Sequence, residues 1–113
     1  MTQKGADSMQ EAVEKLLQLG TIPPDDEMSD ALFRQYDELI QSAEPLSTEE
    51  AEALISLFSE DCYDLNDGLM RLIESAFPAD RTQTEQYRAI IAKCSNDEFR
   101  ELLETRLNNA LKQ

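Results

Sequence analysis

Residues 47–77 read STEEAEALISLFSEDCYDLNDGLMRLIESAF, and the fold class follows from this stretch. Ala51, Leu54, Ile55 and Phe58 recur at i, i+3, i+4 and i+7, one face of a 3.6-residue period. Leu65, Leu69, Leu72, Ile73 and Ala76 repeat the pattern downstream. The connector between the two stripes is acidic: it carries Glu60, Asp61, Asp64 and Asp67, and no basic residue occurs between Arg34 and Arg71. The stretch predicts an antiparallel pair of amphipathic helices with a concentrated negative edge.

Working outward, the same helical period recurs on both sides. Upstream, Ser8-Met9-Gln10-Glu11 has the form of a capping box. Met9, Val13, Leu16 and Leu17 then predict a first helix ended by Gly20 as a left-handed cap. Pro23-Pro24 enforces an extended link. A second helix is expected over about 29–43, with Leu32, Phe33, Tyr36, Leu39, Ile40 and Ala43 inward and Pro45 as its stop. Ser47-Thr48-Glu49-Glu50 opens the third helix, expected to run through Phe58. Downstream of a fourth helix over about 65–76, stopped by Pro78, Thr82-Gln83-Thr84-Glu85 starts a fifth with Tyr87, Ile90, Ile91 and Cys94 inward. Ser95-Asn96-Asp97-Glu98 caps a sixth whose stripe is Phe99, Leu102, Leu103, Leu107, Ala110 and Leu111. No alternating strand-like run or hairpin dipeptide appears, and the repeated S/T-x-x-E reflects capping, with no fixed period linking the rest. The expected fold is all-α, a compact bundle or short stack of five to seven antiparallel helices arranged as helical hairpins. Residues 1–7 carry no pattern and read as a flexible N-terminus, with residues 8–113 as a single helical domain.

Charge is the strongest compositional signal. The chain has 24 acids against 10 bases, a net of −14, and residues 25–67 alone hold 14 acids and one base. Because that segment also carries helical apolar stripes, it reads as a folded acidic face and not as an acidic tail. Such a face repels nucleic acid and anionic membrane and favours basic partners. No apolar run approaches the roughly 18 residues of a membrane span, and the first residues lack the apolar region of a secretory signal, so the expected location is the cytoplasm. Cys62 and Cys94 are expected as free thiols, Cys94 as a small core residue and Cys62 with a raised pKa among acids.

Catalytic readings find little footing. The chain lacks histidine, the commonest general base and transition-metal ligand, and its three glycines are scattered. If Gly68 were the sixth position of a calcium loop, Tyr63 and Leu65 would occupy positions that require carboxylates. Paired carboxylates could serve a glycosidase, but that chemistry needs substrate-holding aromatics and the chain has no Trp. The expectation is a binding protein, not an enzyme, with no catalytic residue, cofactor or metal. Its candidate partner residues are Glu60, Asp61, Tyr63, Asp64 and Asp67, with Asp25, Asp26 and Glu27 as a second patch. Each acid singly has a bland alternative as a solvated helix face. Tyr63 is either an aromatic anchor inside an acidic rim or a ring packed across the helix junction.

Two segments carry a resemblance. Residues 54–74, LISLFSEDCYDLNDGLMRLIE, are similar to the helix, acidic turn and helix of an all-helical immunity-protein family from bacterial polymorphic toxin systems, including contact-dependent growth inhibition. Residues 97–108, DEFRELLETRLN, resemble that family's closing helix, with Phe99 where the family tends to place Trp. The two cover about a third of the chain in the family's order. The resemblance implies binding and neutralisation of a cognate toxin's C-terminal effector domain in the cytoplasm. A basic effector, of the kind a nuclease uses to grip phosphate, would suit the acidic face. An acidic adaptor or regulatory module for a basic cellular protein is the alternative. Arg106, within the apolar stripe of the last helix, is expected to pair internally with a carboxylate.

Overall fold

The computed structural model describes residues 9–77 and 83–111, the side chain of Leu111 excepted. Ser8, Pro78 and Thr82, assigned above as caps and a helix stop, lie outside the described residues. Within them the chain is all-helical: α1 Glu11–Leu19, α2 Asp30–Ser42, α3 Thr48–Leu54, α4 Tyr63–Glu74, α5 Thr84–Ile91 and α6 Asp97–Leu111. A 3₁₀ turn, Asp25–Glu27, precedes α2.

Contacts between elements set the architecture. Gln10 Nε2, at the start of α1, donates to Glu44 O beyond the end of α2, so these two helices are antiparallel. Tyr36 of α2 directs its hydroxyl at Leu19 O, Gly20 O and Thr21 O, clamping the turn that joins them. The α1 start meets the α3 start through Gln10 and Glu50, and the two ends meet through Ile22 N–H to Leu57 O, so α1 and α3 run alike. Thr48 lies against Tyr87, Glu52 against Lys93 and Ser56 against Ser95, which aligns α5 with α3. Ile40 meets Gly68, and Leu46 meets Ser75, so α2 and α4 run alike. Tyr63 to Glu98 and Glu74 to Arg106 give α4 and α6 the same direction. The result is three antiparallel hairpins laid side by side, with α1, α3 and α5 in one layer and α2, α4 and α6 in the other. The slab measures 42 × 41 × 20 Å.

The even-numbered helices begin at Asp30, Tyr63 and Asp97, spacings of 33 and 34 residues. Sequence inspection gave no fixed period; the recurrence is one of elements, without repeated residues to announce it. Between the layers lies a continuous core that includes Leu16, Tyr36, Leu54, Ile55, Leu69, Ile73, Ile91 and Leu103. Gly68, which the calcium alignment placed in a loop, lies inside α4, where a Cβ would sit 3.3 Å from Ile40 Cγ2. Its missing side chain permits the close α2–α4 crossing. Gly20 ends α1 with a positive φ, 84°, but its ψ of −164° lies outside the left-handed helical region expected of it; its N–H closes on Leu16 O at 3.0 Å.

Three sequence expectations are corrected. Helix α3 stops at Leu54, not Phe58, although Ile55 and Phe58 remain buried. Competing partners take the backbone there: Leu57 O accepts from Ile22 N–H at 2.9 Å, and Asn66 Oδ1 accepts from Ser59 N–H at 2.8 Å. Leu102 and Ala110 are exposed on α6, because α6 ends its layer and is covered by α4 and α5 alone. Helix α6 is capped by Asn96, whose Oδ1 accepts from Phe99 N–H at 3.1 Å, while Ser95 turns to Ser56 O.

Two buried polar groups tie separate segments of the chain together. Asn66 is fully buried; it accepts from Ser59 N–H and donates through Nδ2 to Ser59 O at 2.9 Å. Glu50 completes the expected capping box with Ser47, and its Oε2 also accepts from Gln10 N–H at 2.8 Å. One carboxylate therefore caps α3 and holds the start of α1. Burial alone would raise the Glu50 pKa, but hydrogen bonds from Ser47 and Gln10 outweigh it and hold the carboxyl below its ordinary value.

Asn66→Ala leaves Ser59 N–H and part of Ser59 O buried without a partner, and is expected to destabilise the protein by about 2–4 kcal/mol in urea denaturation. For Glu50 the folded pKa lies below the unfolded one. Its ionised form therefore stabilises the fold above the ordinary 4.5, and that contribution disappears as pH falls through the folded value. Glu50→Gln should accordingly lower stability near neutrality, with the gap from wild type narrowing in denaturation curves taken at successively lower pH below the ordinary 4.5.

Candidate functional site

The two acidic segments, separated by more than thirty residues in sequence, meet at one end of the slab. Asp61 Oδ1 accepts the backbone N–H of Asp25 at 2.7 Å, which sets the Asp25–Glu27 turn against the connector preceding α4. Ser59 secures the approach from within: its Oγ donates to Pro23 O at 2.8 Å and accepts from Cys62 N–H at 3.1 Å. Asn96 Nδ2 donates to Ser59 O at 2.8 Å, bringing the third hairpin's turn to the same point. All three within-hairpin turns are thus stitched together, and the candidate residues Asp25, Asp26, Glu27, Glu60, Asp61, Tyr63 and Asp64 are exposed there.

Asp97 and Glu98, at the start of α6, extend this edge beyond the acid-rich segment 25–67. The signal that could have found them was already in the sequence as the α6 cap. The helices explain why so many acids tolerate one another. Helices α2, α4 and α6 all direct their N-termini, the positive ends of their dipoles, at this edge. Asp30, Asp64, Asp97 and Glu98 occupy their first turns.

Ion pairs distinguish the acids. Asp67 sits one turn into α4, half-buried and paired with Arg71 at 3.1 Å, and Asp97 pairs with Arg100 at 2.9 Å. Asp64 and Asp67 also line a groove of about 410 Å³ between α2 and α4, with Asp37 opposite. Among the described residues, no ion pair reaches Asp25, Asp26, Glu27, Glu60, Asp61 or Asp64. Their charge is therefore available to a partner. The described residues contain no group of three metal-ligating side chains.

Tyr63 packs across the helix junction and is exposed at the same time. Its ring stacks on Phe99, centroids 6.1 Å apart, and Phe99 stacks on Phe58 at 5.4 Å. The side chain is nevertheless 51% exposed, and its hydroxyl donates to Glu98 Oε1 at 3.1 Å. The bond to the Glu98 carboxylate is the main reason its phenol pKa is raised. Packing fixes the ring without hiding it. Cys62 and Cys94 are buried free thiols, both with raised pKa chiefly from burial. Arg106 pairs with Glu74 through both Nε and Nη2, a two-point contact, the latter at 3.0 Å. No helix among the described residues is long and apolar enough to cross a membrane.

The Asp61–Asp25 bond is directly testable. Asp61→Ala should speed hydrogen exchange at the Asp25 amide on the order of tenfold, with exchange in α1 and α5 unchanged.

Comparison with protein-family models, with curated proteins and with solved structures found no match for this chain.

Proposed function

We propose that this chain is an immunity protein that binds a basic toxin effector domain through its acidic end and neutralises it. The observation that carries the reading is the convergence of Asp25, Asp26 and Glu27 with Glu60, Asp61 and Asp64, six carboxylates without an ion pair among the described residues. Solubility needs acids distributed over a surface; it does not need them gathered and held by specific backbone contacts at one edge. The resemblance of residues 54–74 and 97–108 to immunity proteins supplies the class of partner. The adaptor reading uses the same edge for a basic protein of the cell.

In the proposed mechanism the unpaired carboxylates steer a cationic effector surface into contact, and Tyr63 supplies a pre-ordered aromatic contact once the surfaces meet. Long-range attraction acts on encounter; the aromatic contact acts on residence time. Lysines and arginines that an effector uses to hold phosphate would be engaged by carboxylates instead.

Affinity capture with the tagged chain from its source cell, washed at low and then high salt, tests the reading. A basic effector fragment retained at low salt and released at high salt is expected. A housekeeping protein in its place transfers the edge to the adaptor function. With the captured partner, Asp26→Lys combined with Asp64→Lys should slow association by about tenfold or more at low salt. Tyr63→Ala should chiefly speed dissociation; unaltered kinetics in both variants would remove this edge from the interface.

A further inference from the structure

Leu102 has no role in the fold described above. It belongs to the apolar stripe of α6 by sequence, yet it is 39% exposed, and only Tyr63 accompanies it as an exposed large hydrophobic side chain among the described residues. The two are neighbours by construction. Tyr63 stacks on Phe99 and bonds to Glu98, and Leu102 stands three and four residues beyond them, the next turn of the same helix flank. Because α4 and α6 run in the same direction, Leu102 lies on α6 between Glu98 and Arg106, the two residues that reach across to α4 and mark the seam between the helices. The Tyr63–Glu98 bond closes one end of the seam, and the Glu74–Arg106 pair closes the other. Asp67 follows Tyr63 by one turn on α4, close enough to Arg106 for its charge to be felt there.

We propose that this seam is the apolar centre of the interface: Tyr63 and Leu102 receive an apolar side chain of the partner, whose flanking lysines or arginines meet Asp61 and Glu98. The proposal rests on the reading that the partner is basic, and it extends that surface onto α6. Charge selects the occupant. A second copy of this chain would set a net charge of −14 against itself across an acid-rimmed patch, whereas a cationic segment is attracted to it. Rigidity favours the same site: the Phe58–Phe99–Tyr63 stack holds the ring in place before binding, so little side-chain freedom is lost on contact. An apolar centre with a charged rim is also the usual anatomy of a protein interface.

The test uses two synthetic helical peptides of equal positive charge, one alternating lysine faces with leucine and the other with serine. Binding to the full chain is followed by titration calorimetry and by amide and leucine-methyl NMR shifts. The lysine–leucine peptide is expected to bind more tightly and to shift Leu102, Tyr63 and Glu98. Leu102→Ser and Tyr63→Ser should each weaken it on the order of tenfold while leaving the lysine–serine peptide unaffected. Leu102 is exposed, so its variant should keep the wild-type melting temperature.

Equal affinity for both peptides, or wild-type affinity in both variants, overturns the seam while leaving the acidic edge intact as an electrostatic surface. Failure of both peptides to bind overturns the seam and the basic-partner reading together. A concentration-dependent dimer in sedimentation that Leu102→Ser abolishes would assign the patch to a second copy and also overturn the proposal.

Discussion

Ser59 sits where the three hairpins turn, and its backbone and hydroxyl are shared among all of them. Asn66 takes both its N–H and its carbonyl, Pro23 O accepts from its hydroxyl, and Asn96 donates to its carbonyl. A buried backbone group without a partner costs on the order of 1–3 kcal/mol, so the arrangement is strongly over-determined. It is also what prevents α3 from running on to Phe58. Continuing that helix would commit Ser59 to the local i−4 ladder and leave Asn66, which is fully buried, without its partners.

From this knot follows the shape of the acidic edge. The turns carry the acids, and holding the turns together necessarily gathers the charge. Mutual repulsion is relieved in two ways that the fold supplies for nothing further. Three helix N-termini point at the edge, and the edge lies at the rim of a slab only 20 Å thick, open to solvent on several sides. Asp67 and Asp97 acquire arginine partners, whereas among the described residues Asp25, Asp26, Glu27, Glu60, Asp61 and Asp64 have no ion pair.

Much of this was legible in the chain. Helical periodicity placed all six helices, Pro45 and Gly20 marked ends, and Ser47 with Glu50 announced a cap that forms as expected. The position of Arg106 within an apolar stripe foretold its carboxylate partner. What remained hidden was long-range. No local pattern tells that Asp61 reaches the amide of Asp25, that Glu50 also holds the first residue before α1, or that a third turn joins the other two. Leu102 misled for a related reason. Periodicity identifies an apolar flank but not whether a neighbouring helix covers it, and α6 has no helix beyond it in its layer. Tyr63 stayed undecided in sequence because packed and exposed are not alternatives for a ring stacked on one face.

The direction of the helices divides the slab into two ends with different freedom to vary. Links within a hairpin all gather at the acidic end, tied through Ser59, so a residue added or lost there would disturb three turns at once. Links between hairpins lie at the other end, about 20 Å away along the 13 residues of α2. Lengthening such a link costs little entropy. Related chains can therefore be expected to differ in length at the end remote from the carboxylates and to differ at the acidic end by substitution. The charge presented at that end would then change by exchanging side chains on a fixed frame, leaving the frame's dimensions alone.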